Sequence, residues 1–94
     1  MRTIDRTNTF KRDYRRISTM SRYSKNLDGL LLNTVALLAE DRPLSASHRD
    51  HALKGNWLGF RDCHLRPDLV LVYAKPDAST LRLSRLGSHS DLFG

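Results

Sequence analysis

An α+β fold, with a helical hairpin packed on one face of a small, mostly antiparallel sheet in the order β-α-α-β-β-β, follows from three features of this 94-residue chain. Apolar residues recur with a helical period as far as Ala39. The period becomes that of a strand from Trp57 onward. Only one long stretch, Asp41 to Asn56, shows neither. The length predicts a single domain over residues 1–94.

Residues 2–6 read as a short first strand. Asn8 or Thr9 then offers an N-cap for a helix in which Phe10, Tyr14 and Ile17 form one apolar stripe, with Lys11, Arg12, Arg15 and Arg16 off it. After a short connection at Met20 to Ser24, Leu27, Leu30, Leu31, Val35 and Leu38 define a second helix. It stops before Pro43, whose ring would clash with a further turn. Ala36, Leu37 and Ala39 broaden its apolar face, so this second helix is expected to lie nearest the sheet. Trp57 to Leu65 reads as a strand broken at Gly59, and Arg66-Pro67-Asp68 supplies a turn. Leu69 to Tyr73 is an uncharged run suited to burial on both faces. Lys75 to Ser79 forms the next turn, Leu81 to Leu86 alternates as a half-exposed strand, and Gly87 ends it.

Hydrophobic residues at 39% and charged residues at 28% describe a chain that folds rather than one that stays disordered. Sixteen Lys and Arg against ten Asp and Glu leave a net charge of +6, mostly carried by arginine. The planar guanidinium pairs bidentately with phosphate, so the composition points to a polyanionic partner: RNA, DNA or an acidic protein. No apolar run approaches the ~20 residues of a membrane span, and no secretory signal opens the sequence. The single cysteine, Cys63, has no internal partner for a disulfide. A reducing cytoplasmic location is the expectation.

All four histidines, His48, His51, His64 and His89, lie in the second half, on three separate segments. Together with Asp68, Arg61, Lys54 and Arg85 they supply what RNA cleavage through its own 2′-hydroxyl needs. A base removes that proton, an acid protonates the leaving 5′-oxygen, and cations balance charge on the phosphorane. Blander readings exist for each. Surface histidines often have no role, and Cys63 and His64, adjacent on a strand, point to opposite faces. The spacing of His48 and His51 lacks a second ligand pair, so no metal is expected. Trp57, Phe60 and Tyr73 read as core. Phe93 either staples the tail to the core or stacks on a base. The basic first helix is a solvated face or an RNA contact.

The stretch from Asp50-His51-Ala-Leu53-Lys-Gly55 through Arg61-Asp62-Cys-His64-Leu-Arg-Pro67-Asp68 to Tyr73 resembles the YafQ branch of the RelE-like bacterial toxins. So does the ending Arg85-Leu-Gly87-Ser-His89-Ser-Asp-Leu92-Phe93. The resemblance covers the whole chain in length and topology, with its specific motifs in residues 50–94. It implies an endoribonuclease that cleaves messenger RNA in the ribosomal A site, without metal or other cofactor. It also implies an antitoxin of the DinJ or RelB kind that silences the activity.

By motif, the catalytic set carries over to His51, His64, Asp68, Arg85, His89 and Phe93. Asp68 and His89 are assigned the protons, and His51 and His64 the phosphate. Arg61, Lys54, Lys11, Arg12, Arg15 and Arg16 are the expected contacts to RNA and the ribosome. Leu69 departs from relatives that carry an aromatic residue after the turn aspartate. Two other functions fit the same outline: a ParE-like inhibitor of DNA gyrase, for which this acid–base set would be superfluous, and a non-catalytic basic module that binds RNA. Charge also predicts an acidic antitoxin segment that folds on binding.

Overall fold

The computed structural model describes every residue from Met1 to Gly94. Its elements are β1 (Thr3–Arg6), α1 (Asn8–Ser18), α2 (Ser21–Ser24), α3 (Leu27–Ala39), β2 (His51–Ala52), β3 (Arg61–Arg66), β4 (Leu69–Asp77), β5 (Thr80–Gly87) and α4 (His89–Phe93). Short 3₁₀ turns at Ala46–His48 and Gly55–Trp57 interrupt the connection before β3. One five-stranded sheet runs in the order β1-β5-β4-β3-β2. Only the β1–β5 pair is parallel. No helix is long and apolar enough to cross a membrane.

The α+β architecture is as the periodicity predicts, and Leu69–Ala74 of β4 is buried on both faces. The first helix begins one residue earlier than expected. Thr7, not Asn8 or Thr9, is its N-cap: the hydroxyl accepts from the Phe10 N–H at 3.0 Å and donates to the Ser84 carbonyl at 3.1 Å. The cap thus also fastens the helix to β5. It is α1, rather than the more apolar α3, that lies closest along the sheet. The reason is Asp13, buried on the same stripe as Phe10 and Ile17. β1 pairs with β5 only as far as Leu83. Beyond it, the Asp13 carboxylate accepts from the Leu86 N–H at 3.0 Å and from Arg85 Nε at 2.8 Å. A side chain thereby serves an edge amide that no strand reaches.

The second half departs from expectation in four places. Trp57–Phe60 is not strand: Gly59, at φ 93°, takes a backbone conformation that favours glycine, and β3 starts at Arg61. The stretch from 41 to 56 is not plain loop, because His51–Ala52 pairs with Arg61–Asp62 and adds the fifth strand. β4 continues through Lys75–Asp77, since Asp77 pairs with Thr80 and only Ala78 and Ser79 bridge the strands. Finally, β5 does not alternate strictly. Val72 faces Arg85 while Tyr73 faces Leu83, so Ser84 is an inserted residue, a bulge that returns Leu86 to the face occupied by Leu81 and Leu83.

The sheet therefore separates two apolar layers. Under the helices lie Phe10, Ile17, Leu38, Leu71, Tyr73 and their neighbours. On the opposite face Val70, Val72 and Leu92 are covered by Trp57, Phe60 and Phe93.

Candidate active site

Side chains opposite one another on paired strands share a face. The register places His51, Asp62, Val72 and Arg85 in one lateral row across β2, β3, β4 and β5. His64, Val70 and Gly87 form the next row. Val70 and Val72 belong to the layer on the face away from the principal helices, so this is the face on which the histidines of β2 and β3 gather.

Beyond Gly87 the chain closes over that face as α4, where the sequence suggested a tail. Ser88 caps it, accepting from the Asp91 N–H at 3.1 Å while Asp91 accepts from the Ser88 N–H, and Arg16 reaches Asp91 Oδ2 at 3.4 Å. Buried Leu92 anchors the helix. His89 is thereby brought beside His64, with ring centroids 6.2 Å apart, and beside Phe93 at 4.9 Å. Phe93 also meets Trp57 edge-on at 5.7 Å, so it staples the tail to the core and lies beside the His89 ring.

The turn before β4 holds Asp68. Arg22 Nη2 donates to its Oδ2 at 2.7 Å, and the Tyr23 hydroxyl donates to the same oxygen at 2.9 Å, leaving Oδ1 unengaged. Burial and the Asp68 carboxylate raise the Tyr23 pKa, keeping it a proton donor. Asp68, Arg22, Tyr23 and His89 line a groove of about 450 Å³.

His64 Nδ1 lies 3.1 Å from the Pro67 carbonyl and His51 Nδ1 lies 2.8 Å from the Arg49 carbonyl. A carbonyl only accepts, so both rings carry hydrogen on Nδ1 and present Nε2 outward.

The expected residues do not all meet. Arg85 stands in the His51 row, but its Nε and Nη2 are held by Asp13, leaving Nη1 unengaged. Arg61 is opposite Tyr73 and turns to the helix-covered face, where Asp50 accepts from it and raises its pKa further. Lys54 is exposed on the loop before the 3₁₀ turn at Gly55. On α1, Arg12 is exposed, Arg16 ties to α4, and Lys11 and Arg15 line a different, largely apolar groove between β1, α1 and α3. His48 is engaged by Ser45. Leu69 is wholly buried in the helix-side core.

Arg22 and Tyr23 were not legible as site residues, because the connection that carries them had no motif. Asp62 lay within a recognised motif, but only the register shows it beside His51. No three His, Cys, Asp or Glu residues cluster closely enough to hold a metal ion.

These geometries belong to a chain with close relatives. A family model described as the bacterial toxin of a type II toxin–antitoxin system, YafQ, matches residues 2–94. The mRNA interferase toxin YafQ of Escherichia coli is 33% identical over 93 residues, covering 99% of this chain and 97% of the relative. A copper-bound mutant toxin from Helicobacter pylori superposes with a TM-score of 0.86 at 37% identity, over 99% of this chain and 100% of that one. YafQ from the E. coli DinJ–YafQ toxin–antitoxin complex gives 0.81 at 32% identity, over 99% and 98%. With the family model spanning nearly the whole sequence and the fold in agreement, this chain belongs to the YafQ family of type II toxin–antitoxin toxins.

Proposed function

We propose that the chain is an mRNA interferase: a ribosome-dependent endoribonuclease that cleaves messenger RNA in the A site without a metal cofactor and is silenced by an acidic cognate antitoxin in the cytoplasm. The observation that carries this reading is the groove in which Asp68 and His89 lie together, with His64 beside His89.

Asp68 Oδ1, the unengaged oxygen, takes the proton of the RNA 2′-hydroxyl. The 2′-oxygen bonds to phosphorus, the P–O5′ bond breaks, and His89 gives its proton to the departing 5′-oxygen. His51 and His64 in their imidazolium forms, with hydrogen on both ring nitrogens, hold the phosphate through Nε2–H together with Arg85, where charge develops. Phe93 packs at a tilt against His89 and limits its rotation. The cations left without acidic partners, including Lys11, Arg12 and Arg15, suit ribosomal RNA and an acidic antitoxin equally, and binding to either weakens with salt.

The test is to map message ends in cells expressing the wild type or His89→Ala. New ends inside translated frames are expected with the wild type. They should disappear with the variant, whose thermal unfolding stays unchanged. Intact messages accompanied by DNA damage would replace this reading with gyrase inhibition, and undiminished cleavage by a folded His89→Ala would refute the assigned site.

A further inference from the structure

Asp62 is the one carboxylate in the molecule with no solvent exposure at all, and neither of its oxygens has a hydrogen-bond donor in good geometry. Burying an ionised carboxylate is costly unless a cation accompanies it. Arg61, the next residue, turns to the other face and belongs to Asp50. The cation-forming group found within 4 Å is the imidazole of His51, whose Nδ1 stands 3.2 Å from Asp62 Oδ1. The contact is built into the sheet, because His51 and Asp62 are direct cross-strand partners. Two-residue β2 has no other evident purpose in the fold: both its residues are exposed and it extends the sheet by one short rung.

We propose that Asp62 is a positioning residue for the cleavage reaction, the buried counter-charge that holds His51 with hydrogen on Nδ1 and Nε2 aimed at the scissile phosphate. The Arg49 carbonyl accepts from the same Nδ1 at 2.8 Å and fixes the ring plane. Asp62 supplies what a neutral carbonyl lacks, a full negative charge behind the imidazolium form of the ring, which carries hydrogen on both nitrogens and donates from Nε2 to a phosphate gaining charge. The fully buried carboxylate does not touch RNA and acts through His51 alone. This role rests on the phosphate-holding assignment of His51 given above.

The experiment is a double-mutant cycle on single-turnover cleavage of ribosome-bound mRNA, with ribosome affinity measured alongside. Asp62→Asn preserves shape and removes the charge. The expected result is a loss of roughly 10- to 100-fold in the cleavage rate, the scale known for carboxylates behind metal-ligating histidines, with ribosome affinity unchanged. In the His51→Ala background the same substitution should cost nothing further. Equal losses in both backgrounds, or no loss in the first, would overturn the proposal, since a merely structural carboxylate would act regardless of His51. Thermal unfolding of each variant separates misfolding from lost rate. If His51→Ala itself cleaves at the wild-type rate, the assignment of His51 fails, and the role of Asp62 fails with it.

Discussion

Replacing Asp13 with alanine should destabilise the protein more than any other change to its first helix that leaves the apolar stripe intact. The carboxylate is buried and accepts from the Leu86 backbone N–H at 3.0 Å and from Arg85 Nε at 2.8 Å. Stranding the Leu86 amide costs about 1–3 kcal/mol. The partly solvated Arg85 pair adds about 1 kcal/mol after screening. A combined loss of about 3 kcal/mol, at roughly 4–8 °C per kcal/mol for a chain of this length, lowers Tm by on the order of 10–25 °C.

Asp13→Asn keeps an acceptor for the amide and gives up only the charge, so it should recover most of that loss. Thermal unfolding by circular dichroism reads both variants, and hydrogen exchange at the Leu86 amide reads the mechanism. Asp13→Ala within about 0.5 kcal/mol of the wild type, or an unchanged exchange rate at Leu86, would refute the idea that a side chain substitutes here for an absent strand.

Lys75 and then Arg2 donate to Asp41 and depress its pKa from 3.8 to about 2. A depressed carboxylate stabilises the folded state above its unfolded pKa and loses that contribution as pH falls through the folded one. Asp41→Asn should therefore be less stable than the wild type at pH 6, with the difference shrinking from about pH 4 and mostly gone by about pH 2; an undiminished difference at pH 2 in urea titrations would contradict it. Burial, with smaller contributions from Asp50 and Asp62, pushes the Cys63 thiol up to about 12. A thiol-specific reagent at pH 8 should label it only after denaturant is added, and rapid labelling of the native protein would show that the strand is more open than described.

The residues that follow a period were readable, and those that break one were readable only in part. Leu27 to Leu38 and Leu69 to Tyr73 announce their elements, because burial of a helix face or a two-sided strand demands those patterns. Asp13 left a legible sign, a lone carboxylate on the stripe of Phe10 and Ile17, but the strand edge it serves depends on where β1 stops. The Leu81, Leu83, Leu86 spacing carried the bulge in the same way: one step out of alternation. Ser88 to Asp91 has the letters of a capping box, enough to have suggested α4 instead of a tail. His51, His64, Asp68, His89 and Phe93 were found through motif. Their mutual placement was not, since it follows from the cross-strand register and from α4 folding back. Arg22, Tyr23 and the His51–Asp62 pairing arise from contacts between segments far apart in sequence, to which no local pattern points.

The parallel pairing of β1 with β5 has a consequence for how the molecule is made. Asp5 and Arg82, ion-paired across that junction, are 77 residues apart in the chain. The first strand, and the helix fastened beside it through Thr7 and Asp13, must wait for β5 to be synthesised before they have their strand partner to fold upon. Folding is thus governed by contacts that close late, and such topologies form slowly. While translation is under way, a nascent chain has neither the completed sheet nor α4 in place, and so has no assembled groove. On the function proposed above, that delay spares the ribosome producing the chain, and gives an acidic antitoxin its earliest opportunity at the moment of release.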